Sequence, residues 1–265
     1  MRINLVIQII FLLIFILSTG FSQPGESDKT IDLQVSEKVD SIIRALKIPD
    51  IRLELSFENK KNKDIIDEYR NKFIIRAEEI ISQNKVPNNF EFQAYFYGIL
   101  GAYYIPKDIL KSFIYMNKAL ETTELITDNR ILYQAQIETY LLTAFLMAEK
   151  FKDALQLSEK FIEKYPGLGS GALKNAVATY GVNSYAESSK KSGVTYEKMK
   201  KYLNTLSEKY SNEIACAADF QLLLLAQEQK NNTRVETLKN RILTRYPKTW
   251  EYTIIYESYF DTVLK

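Results

Sequence analysis

The segment AEKFKDALQLSEKFIEKYP, residues 148–166, recurs along the chain, and this recurrence limits the available folds more than any other feature. Placing Tyr165-Pro166 over Tyr246-Pro247, 81 residues later, aligns it with QKNNTRVETLKNRILTRYP. Leu157 then meets Leu238, Phe161 meets Ile242, Ile162 meets Leu243, and the small Ala154 meets Val235. That offset is too long for one helix pair and suits two. The intermediate copy is TYEKMKKYLNTLSEKYS, in which Tyr196, Met199, Tyr202, Leu206 and Tyr210 match Phe151, Ala154, Leu157, Phe161 and Tyr165. A degenerate first copy, KDILKSFIYMNKALETTE, supplies Ile109, Ser112 and Ala119 for Phe151, Ala154 and Phe161.

Each copy follows another apolar stretch of helical length: FEFQAYFYGILGAYY, ILYQAQIETYLLTAFLMA, GALKNAVATYGVNSYAES and EIACAADFQLLLLAQEQ. The chain therefore reads as successive helix–turn–helix units. One such pair buries too little apolar surface to fold alone, and stacked neighbours share one core. Pro166 cannot continue a helix. The following Gly167-Leu168-Gly169-Ser170-Gly171 frees the turn for a connector or hinge. SSKKSGVT, residues 188–195, is expected to be a loop that stretches the spacing to the intermediate copy. Only 9 Gly and 6 Pro in 265 residues argue against an all-β fold, which needs many turn residues.

Periodic pairs of this length resemble the tetratricopeptide repeat, whose units are about 34 residues long. The resemblance covers residues 91–247 in about four units and is clearest from Ala135 to Pro166. There Leu141, Leu142 and Phe145 stand at first-helix packing positions, with Leu142 where a smaller residue is usual. Phe151, Ala154, Phe161 and Pro166 match the second helix and its terminator. The stretch YPGLGSGALKNAVATYGVNSY, residues 165–185, is also similar to a segment of periplasmic envelope-assembly repeat proteins. The resemblance implies an all-α, right-handed superhelical solenoid with helical N- and C-terminal caps. It also implies a concave groove lined by the first helix of each pair. Carried over by position, that groove would expose Tyr97, Tyr104, Gln136, Thr139, Tyr140, Thr143, Thr179, Asn183, Phe220, Gln221 and Gln227 to a protein or peptide partner. Tyrosine suits such a surface because it offers apolar area and a hydroxyl together.

The N-terminus, MRINLVIQIIFLLIFILSTGFSQ, has Arg2 before an apolar run and small residues at Gly20 and Ser22. This is the pattern of a signal peptide cleaved after Ser22, with a retained anchor as the alternative. It predicts export to a bacterial periplasm or beyond, with no membrane span after cleavage. The expected layout is a signal peptide (1–22), a flexible leader (23–29), a helical cap region (30–90), the repeat array (91–247) and a capping helix (248–265). Within the cap region, residues 30–47 and 64–83 carry helical apolar spacing, the latter ending at Asn84 and Pro87. IRLELSF (51–57) reads as extended linker or helix start.

Several chemistries are disfavoured. There is no histidine for a hydrolytic triad or an imidazole metal site, and the lone Cys216 reads as a small core residue. Lys and Arg total 35 against 33 Asp and Glu, so no field draws nucleic acid. Glu257-Ser258 resembles the catalytic pair of lytic transglycosylases, but no Gly-Leu-Met-Gln follows. Glu78-Glu79 and Asp67-Glu68 read as solvated faces. The reading is a non-catalytic scaffold or adaptor without cofactor or metal. The alternative is a structural accessory subunit of an envelope complex, and a carboxylate-based glycan-cleaving enzyme is the remote one.

Overall fold

The computed structural model describes residues 37–49, 63–128, 130–166, 171–210 and 213–246, the side chains of residues 37, 63–66 and 171–179 excepted. Every regular element among them is an α-helix. The described residues form two compact units that divide between Ala148 and Glu149. The first holds α1 (Glu37–Ala45), α2 (Lys63–Ser82), α3 (Phe90–Tyr104), α4 (Ile109–Thr123) and α5 (Arg130–Met147). The second holds α6 (Phe151–Lys164), α7 (Gly171–Ser192), α8 (Tyr196–Lys209), α9 (Glu213–Glu228) and α10 (Asn232–Arg245). The division falls inside the Ala135–Pro166 stretch that the sequence makes its clearest repeat. The expected signal peptide (1–22), leader (23–29) and capping helix (248–265), together with residues 51–57 and the glycine-rich run 167–170, lie outside the described residues.

Local chemistry sets the helix ends. Asn89, Asp108, Thr195 and Asn231 are N-caps whose side chains accept from Phe92 N, Lys111 N, Lys198 N and Arg234 N. Each satisfies a backbone donor that the first turn leaves open. Of the five left-handed residues among the described ones, four close a helix in one shared way: Lys47, Asn84, Gly193 and Lys230. In each the next amide reaches back five residues: Ile48 to Ile43, Lys85 to Ile80, Val194 to Ser189 and Asn231 to Ala226. This double closure satisfies terminal carbonyls. Asn231 thus ends one turn and caps the next helix, making the α9–α10 connection very short.

One expected loop is helix. α7 continues to Ser192, leaving only Gly193 to Thr195 as the connection to α8. Ser188 and Ser189 are fully buried, so the start of this polar-looking run faces protein, while Lys190 and Lys191 are exposed. The extra spacing comes from a 22-residue helix, and Gly193, at φ +81°, supplies its stop.

The repeated positions are packing positions. Ser112, Ala154, Met199 and Val235, one from each second helix, are all buried. So are Ala119, Phe161, Leu206 and Ile242, each two turns further on. Withdrawing a side chain such as Leu or Phe from water contributes roughly 1.5–3 kcal/mol. Leu142, the departure from the repeat pattern, is also buried.

In the first unit, α3 packs on α4 and α5, α4 packs on α5, and α2 lies against α3. Its centre is aromatic: Phe73 meets the edge of Tyr103 at 5.1 Å, and Phe92 stacks on Phe96 at 5.3 Å. A Cβ on Gly101 would lie 2.7 Å from Met116 Cγ and 3.1 Å from Ser112 O, so α3 and α4 require a glycine at their crossing. In the second unit, α7 packs on α6 and α9, while α9 also packs on α8 and α10. Its core is aliphatic and alanine-rich, with Ala215, Cys216, Ala217 and Ala218 buried beside Leu203, Leu222 and Leu238. Among the described residues no helix is long and apolar enough to cross a membrane.

Candidate partner-binding face

The residues expected to line a groove are divided by the structure into buried and accessible sets. Tyr97, Tyr104, Thr139, Tyr140, Thr143 and Gln221 are buried, so their expected exposure is corrected. Gln136, Asn183 and Phe220 are half-buried, and Gln227 is exposed. Thr179 lies on α7, and its side chain is outside the described residues.

Buried polar members of the set are satisfied locally. Thr139 donates to Ala135 O at 2.8 Å and Thr143 to Thr139 O at 3.1 Å, so both hydroxyls bond within α5. Such back-bonding lets threonine turn a methyl toward the core without orphaning its oxygen. The Tyr140 hydroxyl accepts from Gln136 Nε2 at 2.8 Å, and burial pushes its pKa up. Gln136 therefore shows one side to solvent and covers Tyr140 with the other. In the second unit Gln221 Nε2 donates to Asn183 Oδ1 at 2.5 Å, joining α9 to α7. Lys190 and Glu228 join the same two helices at 2.6 Å.

Tyr97 and Tyr104 are brought together by a residue that sequence reasoning missed. Tyr115, on α4, stacks on Tyr97 at 6.2 Å and on Tyr104 at 5.8 Å. Lys118 Nζ lies 4.2 Å from the centre of the Tyr97 ring, and Lys111 Nζ lies 4.9 Å from that of Tyr104. The negative ring faces attract both ammonium groups. Tyr104 donates its hydroxyl hydrogen to Glu78 Oε1, which also accepts from Lys111 Nζ at 2.9 Å. Burial first, and then the bond to Glu78, push the Tyr104 pKa to about 12. The bonds from Tyr104 and Lys111 hold the Glu78 carboxyl below its ordinary range. At neutral pH the phenol keeps its proton and the carboxylate stays ionised, so the cluster fastens α2, α3 and α4 and holds no poised acid or base. Glu78 is thus more than a solvated acid, while Glu79 is exposed and pairs with Arg76 at 2.5 Å.

The second missed residue is Asp219, which is 0% exposed. Its Oδ1 accepts from Ser207 Oγ on α8 at 2.6 Å and from Arg241 Nη2 on α10 at 2.5 Å. Its Oδ2 lies 3.4 Å from the hydroxyl of Tyr246, the tyrosine of the second Tyr-Pro stop. Burial outweighs these bonds and raises the carboxyl above its ordinary value. A single acid inside IACAADFQLLLL was the available signal, because helical spacing places it among buried Cys216, Leu222 and Leu223. The first stop behaves differently: Tyr165 meets the edge of Phe161 at 5.0 Å.

Asp67 pairs with Arg70, and Glu68 with Lys72, each at 2.7 Å. Glu257 and Ser258 lie outside the described residues. No group of three or more Cys, Asp or Glu among the described residues is arranged to hold a metal ion. No family model, no curated protein and no solved structure matches the chain.

Proposed function

We propose that the chain is an exported, non-catalytic helical-repeat scaffold of the tetratricopeptide kind, which holds a protein or peptide partner on the exposed faces of its first helices. The observation that carries this reading is the packing of next-but-one helices: α3 lies on α5, and α7 on α9. Stacked helix pairs bring their first helices side by side in this way within each unit, and each such pair of faces is a surface on which an extended partner can lie. Solvent reaches Gln136 in one unit, and Asn183, Phe220 and Gln227 in the other. Amide side chains offer both donors and acceptors to a peptide backbone.

Partner retention from native envelope extracts tests the reading. Gln227→Glu changes exposed atoms only, and Gln136→Glu keeps the side chain's shape while the Tyr140 hydroxyl turns to donate to the new carboxylate, so both variants fold while the co-purifying partner is lost. Retention of the partner by both variants contradicts the groove.

A second reading, an accessory subunit of an envelope complex that binds through its outer helices, draws support from Leu110 and Ile114. These two are 70% and 63% exposed, one turn apart on α4. If Ile114→Ser releases the partner and the glutamine variants keep it, this reading replaces the first.

A further inference from the structure

We draw no further inference here: the strongest candidate, the exposed Leu110–Ile114 face of α4 bordered by Lys111 and Lys118, carries nothing because Glu78 offsets the Lys111 charge and nothing in the structure shows what covers it.

Discussion

The two units solve the same packing problem with different chemistry. In the first, α2, α3 and α4 are joined by tyrosine rings, lysine heads and the half-exposed carboxylate of Glu78. In the second, α8, α9 and α10 converge on one fully buried carboxylate, Asp219. Exposure decides what each acid contributes. Water screens Glu78 and its lysine, so that pair adds little beyond orientation. Asp219 has lost its water, so its partners must compensate for a large desolvation cost. Polar cross-links of similar appearance therefore carry unequal stakes.

The largest expected effect follows directly. Arg241→Ala leaves the buried Asp219 carboxyl with only hydroxyl partners, which should destabilise the second unit by about 3–5 kcal/mol at neutral pH. Asp219→Asn keeps the shape without the charge and should cost much less. Hydrogen exchange of the α9 and α10 amides separates the two variants. Equal loss of protection in both would place the cost in geometry and not in charge.

The pH response should differ in sign between the units. Asp219 is raised in the folded chain, so folding takes up its proton. Its contribution is fully present below the ordinary Asp pKa and is lost as pH rises through the raised value. Glu78 is lowered, so its contribution is present above the ordinary Glu pKa and is lost as pH falls through the lowered value. Lowering the pH should therefore relieve much of the Arg241→Ala defect, while Glu78→Gln should remove the acid-labile part from the first unit. The Glu78→Gln effect at neutral pH should lie near the resolution limit of a denaturant titration.

Between these extremes lie the helix crossings. Gly101→Ala pushes a methyl toward Ser112 O and the Met116 backbone as well as a flexible Met116 side chain. A destabilisation of about 1–3 kcal/mol is expected. Gly98→Ala meets only Ile137, at 3.2 Å, and gains helix propensity, so it should be near neutral. A smaller change of opposite sign is expected at Lys230, whose φ of +56° is a glycine conformation. Relief of roughly 1–2 kcal/mol of left-handed strain exceeds the entropy glycine adds to the unfolded chain, leaving Lys230→Gly more stable by under about 1 kcal/mol. Thermal melts of the three glycine-site variants give the order.

The contrast also explains which features are legible in the sequence alone. Ser112, Ala154, Met199 and Val235 were legible because helical packing forces one kind of position to recur, and all four are buried. The length of α7 was not, because serine is common in both loops and helices and only burial tells them apart. Nor was the fate of the tyrosines. Tyrosine is at home in a core or at an interface, and first-helix spacing alone does not show that Tyr115 and Lys118 would enclose Tyr97. Asp219 escaped notice for a related reason: the partners that make its burial tolerable are Ser207, 12 residues before it, and Arg241, 22 after it. The half-exposed Gln136 and the buried Tyr140 sit four residues apart on one helix, so the accessible part of the face is narrower than periodicity suggests.

The most direct test of the scaffold reading is site-specific photo-crosslinking in the native cell, with the reactive residue placed in turn at Gln136, Gln227, Ile114 and Lys160, the last exposed on α6. The account predicts one defined adduct from Gln136 and Gln227 and none from Ile114 or Lys160. Adducts formed only from Ile114 or Lys160, or no adduct at either glutamine, would contradict it.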